Sequence, residues 1–195
     1  SVDVIGSLLG IILSSPIMIV AAIAIKLGSS GPVIFKQERV GLHNKPFKMY
    51  KFRTMEMQKP SAEQKGWTVK DDPRVTKVGK ILRKTSLDEL PQLFNILMGE
   101  MSLVGPRPER PQFVEKFKEE IPRYMVKHQV RPGLTGWAQI NGRDELEIPV
   151  KAKLDGEYVA KMGPAMDLRC FFGTFLSVLR ADGVVEGGTG SMRKD

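Results

Sequence analysis

From Val4 to Leu27 the chain reads VIGSLLGIILSSPIMIVAAIAIKL, with no charge before Lys26. As a straight helix this run is about 36 Å long, against a hydrocarbon core of about 30 Å, so it is long enough to enter or cross a bilayer. The alternatives are a signal peptide, whose apolar core is shorter and follows basic residues, and a buried helix of a soluble protein. The centre of the run is Ser14-Ser15-Pro16. Pro16 lacks an amide hydrogen and crowds the carbonyl of Ile12, which bends a helix. In lipid the freed carbonyl needs a partner, and the Ser14 or Ser15 hydroxyl can supply one. A straight span and a re-entrant hairpin both fit. Every Lys and Arg lies at position 26 or later, so the basic side is expected to face the cytoplasm.

After a breaker-rich exit at 28–32, Val33-Ile34-Phe35 and Phe47–Phe52 read as short strands joined through the turn-forming residues 41–46, which predicts a hairpin. Residues 56–72 are polar and read as a loop. Val75, Val78, Ile81 and Leu82 recur at helical spacing within a basic segment. Such a helix either lies at a lipid interface with its lysines toward headgroups or covers an ordinary surface. Leu90, Leu93, Phe94 and Leu97 mark one face of a further helix, with Gly99 as its stop. Pro106, Pro108 and Pro111 impose extended backbone. A helix broken near Pro122 is expected within 113–125, turn plus strand within 130–141, and helices over 152–161 and 164–180. The last carries Met166, Phe171, Phe172, Phe175 and Leu176, an apolar stripe that suits either a core or a membrane interface. The fold class is therefore α/β mixed, mainly helical: a membrane helix over residues 1–29, one compact domain with a small β-hairpin or sheet and amphipathic helices over 30–186, and a disordered tail over 187–195.

Composition narrows the partners. The 195 residues carry 30 Lys+Arg against 22 Asp+Glu, a formal charge of +8, which favours phosphorylated substrates, acidic headgroups or nucleic acid. The aromatic share is only 7%, and together with the apolar N-terminus this argues against nucleic acid. The single cysteine, Cys170, excludes an internal disulfide framework. With Ser1 in place of an initiator Met, a truncated or processed form is expected.

The candidate chemistry lies in Arg83–Pro108. Ser86 and Glu89 match a capping box, which would make the acidic pair Asp88-Glu89 an ordinary helix start. Pro91 opposes that register, because its missing amide would fall at the fifth helical position. With Asp88 as N-cap, Pro91 sits within the first turn, and both carboxylates stand at the positive end of a helix. Two carboxylates can hold Mg2+, which takes one or two of them plus phosphate oxygens, and an aspartate can attack phosphorus to give a covalent phospho-enzyme. Either role needs cations to screen the approaching phosphates. Arg83 and Arg107 are the candidates, Arg107 the better placed between Pro106 and Pro108; a surface ion pair is the alternative for each. Arg131 and Arg143 lie in Gly-rich segments that suit nucleotide or phosphate binding, or plain tight turns. His43 and His128 show no metal-ligand spacing, and no Walker A, GxGxxG or GxSxG motif is present.

The ordered set of motifs resembles the bacterial sugar transferase family, small monotopic phosphoglycosyl transferases. It comprises Ser15-Pro16, Phe35–Gly41, Tyr50–Met55, Asp72–Thr76, Ser86–Leu93, Gly105–Pro108, Val130–Gly136 and Asn141-Gly142-Arg143. The resemblance implies transfer of a sugar phosphate from a UDP-sugar to polyprenyl (undecaprenyl) phosphate at the cytoplasmic face of the bacterial inner membrane. That is a first membrane step in making exopolysaccharide, capsule, lipopolysaccharide or other glycoconjugates. It implies Asp88 as nucleophile, UMP as leaving group, and Mg2+ at the Asp88-Glu89 dyad, held chiefly by Glu89. It places Arg83, Arg107, Arg131 and Arg143 against phosphates or nucleotide, and makes the Ser15-Pro16 kink turn the first helix back to the cytoplasm. Membrane lipids are implied partners, nucleic acid is not, and the resemblance leaves a dimer open.

Overall fold

The computed structural model describes residues 2–57, 72–142 and 146–180, with side chains described to residue 178. The expected loop at 56–72 falls mostly outside these residues, as do Arg143 and the 187–195 tail. The chain is mostly helical with two small sheets. Helix α1 spans Val2–Gly28, and strands β1 (Ile34–Val40) and β2 (Pro46–Phe52) form an antiparallel ribbon. Helix α2 (Lys77–Lys84) precedes a 3-10 turn at Leu87–Glu89 and helix α3 (Gln92–Leu97). Strand β3 (Ser102–Val104), helix α4 (Pro111–Glu120) and a 3-10 segment at Tyr124–Gln129 follow. Strand β4 (Gly133–Thr135) pairs parallel to β3, and the chain continues through α5 (Trp137–Ile140), α6 (Ile148–Lys161) and α7 (Pro164–Arg180).

The hairpin forms, but its first strand is longer than expected. Lys36, Gln37, Glu38 and Arg39 pair with β2 although they carry no apolar run. Backbone pairing in a two-stranded ribbon needs no buried face on every residue, so hydrophobic pattern alone misses such a strand. Strand β3, at three residues, was likewise silent. Within 130–141 the expected strand is β4, but the segment after it, Trp137–Ile140, is the short helix α5 and not strand. The larger correction concerns the helix after the acidic pair. Pro91 is the N-cap of α3, and Asp88 and Glu89 belong to the separate 3-10 turn before it. Ser86 stands in left-handed conformation at φ 56° and makes no capping hydrogen bond, so the capping box does not form. The expected stop is met: Gly99 adopts φ 82°, a conformation that glycine enters without penalty.

Helix α1 is long and apolar enough to cross a membrane, yet its whole length runs along the rest of the chain. It packs on α3, α2 and β3. Gly6 meets Leu103 and Gly10 meets Leu93, so small residues let the domain approach the helix backbone. Further along, Ala21 and Ile25 join Phe52 and Leu82 in one core cluster, with Val78, Leu87 and Leu90 packed against it. The other side of the helix is bare: Leu13 is 78% exposed, whereas Ile25 is 2% exposed. The Ile12 carbonyl, which Pro16 deprives of its amide partner, accepts the Ser15 hydroxyl at 2.8 Å. The Gly10 carbonyl accepts Ser14 at 2.6 Å. A second core, away from α1, gathers Val40, Val114, Phe117, Ile121, Tyr124 and Ile148.

Candidate active site

The acidic pair is seated by the residues around it. Leu87 and Leu90 bracket Asp88-Glu89 and pack against the cluster that contains Ala21 and Ile25 of α1. Apolar anchors on both sides hold the turn, so its two carboxylates have little freedom. Asp88 is buried at 9% exposure, and the Glu89 side chain retains 17%.

Two cations converge on one oxygen of Glu89. Arg107 donates from Nη2 to Oε1 at 2.7 Å, and Lys51 donates from Nζ to the same oxygen at 2.9 Å. Arg107 follows β3 and its loop is fastened to β1. Arg39 Nη1 donates to the Pro108 carbonyl at 3.2 Å and to Glu109 Oε1 at 2.9 Å, and the Val40 amide donates to the Glu109 carbonyl at 2.9 Å. Lys51 is placed by β2, which Asn95 of α3 clips in position. The Asn95 Oδ1 accepts the Tyr50 amide at 3.0 Å, and its Nδ2 donates to the Lys48 carbonyl at 2.8 Å. Arg83, in the last turn of α2, donates from Nε to Thr54 Oγ1 at 2.8 Å and adds positive potential at Asp88.

The two neighbouring carboxyls are driven apart in acidity. Burial pushes the Asp88 carboxyl up, and the adjacent Glu89 charge pushes it further; Lys51, Arg83 and Arg107 oppose this without cancelling it. Burial acts on Glu89 in the same sense, but the charges and hydrogen bonds of Arg107 and Lys51 outweigh it and hold Glu89 well below the usual carboxylate range. Glu89 is therefore the fixed anion of the pair. Asp88 is the buried carboxyl that has no ion-pair partner among the described residues. A carboxylate stripped of water beside a cluster of cations is suited to meeting an anionic group that brings its own charge to those cations.

Asp88, Glu89, Arg83 and Arg107 thus come together. Arg131 is exposed at the approach to β4, and no described hydrogen bond or ion pair joins it to the dyad. Arg143 lies outside the described residues. Ser15 and Pro16 lie within α1, on which the dyad-bearing turn rests. Sequence reasoning passed over Lys51 and Thr54. The available signal was their place in the Tyr50–Met55 motif; by hydrophobic pattern alone nothing separates Lys51 from Lys48. Among the described residues no group of three or more His, Cys, Asp or Glu is placed to hold a metal. The donor set available to a divalent cation is the dyad itself, and for Mg2+ two carboxylates completed by phosphate oxygens suffice.

A family model described as bacterial sugar transferase matches residues 1–181. Over 186 residues the chain is 44% identical to the UDP-N-acetylgalactosamine-undecaprenyl-phosphate N-acetylgalactosaminephosphotransferase of Aeromonas hydrophila, covering 93% of this chain and 43% of that protein. Over 175 residues it is 45% identical to the UDP-glucose:undecaprenyl-phosphate glucose-1-phosphate transferase of Escherichia coli (strain K12), covering 87% of this chain and 38% of that protein. It is also 42% identical over 185 residues to the exopolysaccharide production protein PSS of Rhizobium leguminosarum bv. phaseoli, covering 91% of this chain and 92% of that one. The chain spans about two fifths of the length of the first two relatives.

Proposed function

The chain belongs to the bacterial sugar transferase family, and from that premise we propose that it transfers a sugar 1-phosphate from a UDP-sugar to polyprenyl (undecaprenyl) phosphate at a membrane surface. The observation that carries this reading is the split dyad: a buried Asp88 whose pKa is pushed up by burial beside a Glu89 locked to Lys51 and Arg107, on a turn seated against the apolar helix.

In this reading an Asp88 carboxylate oxygen attacks the sugar-bearing phosphorus of the donor. The bond from that phosphorus to the bridging oxygen breaks, and UMP departs with the electron pair. An oxygen of the lipid phosphate then attacks the same phosphorus, the aspartyl–phosphorus bond breaks, and the Asp88 carboxylate is restored with the diphosphate lipid as product. Arg107, Lys51 and Arg83 hold the donor phosphates and balance the charge gathered around phosphorus. Glu89 keeps Arg107 and Lys51 in place before the donor arrives. The dyad fits a divalent cation: a desolvated Asp88 whose ionisation is opposed by burial and by Glu89 gains most from a nearby positive charge. Bound there by Asp88 and Glu89, Mg2+ would screen the donor diphosphate from the attacking oxygen.

The apolar helix gives the chemistry its location. Both ends of α1 contact the domain that carries the dyad, as a re-entrant helix requires, and every Lys and Arg lies at position 26 or later. This supports a monotopic arrangement at the cytoplasmic face of the bacterial inner membrane, with α2 lying at the lipid interface. The donor sugar is not selected by overall likeness, since relatives named for N-acetylgalactosamine and for glucose stand at 44% and 45% identity.

The test is UMP release by purified protein in lipid, measured with UDP-sugars with and without polyprenyl phosphate and Mg2+. Sustained release is expected only with both, and Asp88→Asn is expected to lower turnover by at least about a thousandfold. Undiminished turnover in Asp88→Asn would remove Asp88 from the role of nucleophile.

A further inference from the structure

Of the two cations that meet on Glu89, Lys51 lies on β2 and Arg107 on the loop that follows β3, and each of these strands is tied to a different end of α1. At the start of the helix, the Asp3 carboxylate accepts the Ser102 hydroxyl at 2.9 and 3.0 Å and the Leu103 amide at 3.0 Å. Ser102 and Leu103 belong to β3, which leads through Gly105-Pro106 into Arg107. At the other end, the buried Arg53 guanidinium donates from Nη2 to the Ser29 carbonyl at 3.0 Å and from Nη1 to the Ser30 carbonyl, just beyond the last turn of α1. Arg53 lies two residues after Lys51 and one beyond the end of β2. An anion at the helix start and a cation at its end both match the helix dipole.

Helix stability alone does not call for this arrangement. A first-turn carboxylate supports its own helix by facing its own amides, and Asp3 instead accepts one hydroxyl, shared between its two oxygens, and one amide from a strand about a hundred residues away. Between the two ties the helix presents bare apolar surface, with Leu13 78% and Val20 67% exposed. Whatever depth this surface takes in lipid is passed to the domain through the packing along the covered face and, at the two ends, through these polar ties.

We propose that Asp3 is a positioning residue: with Arg53 at the far end, it clamps the membrane helix to β3, which leads into Arg107, and to the end of β2, which carries Lys51, and so sets the height of the Asp88-Glu89 dyad above the lipid. The inference rests on the transferase reading for its kinetic consequence. A soluble donor reaches the dyad from the aqueous side at any height, whereas a lipid-borne phosphate reaches it only at the correct one. Loosening the clamp therefore impairs the second half of the reaction and spares the first.

The experiment compares the wild-type protein with Asp3→Ala, Asp3→Asn and Ser102→Ala in vesicles of anionic phospholipid. Single-turnover UMP release from a UDP-sugar, without acceptor, reads the first half. The KM for polyprenyl phosphate in full turnover reads the second. A nitroxide on Met98→Cys, an exposed position at the end of α3, reads depth in the bilayer without any turnover. Asp3→Ala is expected to leave the single-turnover burst within twofold, raise the acceptor KM at least about fivefold, and move the label. Asp3→Asn keeps an oxygen for the Leu103 amide and should fall between; Ser102→Ala, which removes one donor from an intact fold, should shift both readouts in the same direction. An unchanged acceptor KM with unchanged depth overturns the proposal, and so does equal loss in both halves. A wild-type protein that releases no UMP, with a label that still moves in Asp3→Ala, would sink the transferase reading and leave the clamp standing.

Discussion

Asp88 and Glu89 are neighbours in sequence, yet their environments push their acidities in opposite directions. The cause is the allocation of two cations. Arg107 and Lys51 both spend their hydrogen bonds on Glu89 Oε1, so Asp88 feels them only through space while bearing the cost of burial. If Asp88 must be ionised to attack, donor cleavage fails as pH falls through its raised pKa. The acid limb of the UMP burst is thus expected above the ordinary aspartate value of 3.8. Lys51 gives the largest of the opposing charge effects on Asp88, so Lys51→Met should move that limb further upward, as read from burst rate against pH. A limb that stays in place would show that Lys51 does not govern Asp88. At this scale the dyad and Arg107 were legible as residue types in a constrained order. Lys51 was not, since one strand lysine looks like another until the strand meets its neighbours.

Among the elements, α2 shows how closely backbone must approach backbone to build this site. Thr76 caps the helix by accepting the Gly79 amide at 2.9 Å, and the Thr76 amide donates to the Thr54 carbonyl at 3.0 Å. A Cβ added at Gly79 would stand 2.0 Å from that same Thr54 carbonyl oxygen. Gly79→Ala must therefore push α2 away from the strand end and pull Arg83 from Thr54. A loss of about 2–3 kcal/mol is expected, read as a lower Tm in detergent, with weaker donor binding alongside. The hydrophobic period located α2 correctly; of its apolar members Leu82 joins the core, whereas Ile81 is 64% exposed. The sequence reading started the next helix too early. Pro91 fits the first turn of a helix capped at Asp88 as well as the N-cap position it takes, and only the left-handed Ser86 and the packing of Leu87 and Leu90 choose a separate 3-10 turn.

At the level of the whole molecule, the apolar helix is part of the folded domain as well as its route to lipid. The two roles occupy opposite faces and are separable. Leu13→Lys, at an exposed position, should leave the secondary structure intact and weaken vesicle binding by about 3 kcal/mol, read by flotation and circular dichroism. Ile25→Lys, at 2% exposure, should disrupt the shared core itself. Equal behaviour of the two variants would mean that the helix does not present one face to each environment. The apolar run, the Ser-Pro centre, the charge surplus and the ordered motifs belong to local chemistry, and the linear chain carries them without help. They determined that a long helix would seek lipid, that an acidic pair would meet arginines, and which family the chain resembles. Tertiary structure alone decided that both ends of that helix bind the domain, that two cations share one oxygen of Glu89, and that Asp88 is the buried carboxyl left without an ion pair among the described residues. Those outcomes depend on contacts between residues up to about a hundred positions apart. Single-sequence periodicity holds no information on such pairs, because it records which face a residue takes and not what that face meets.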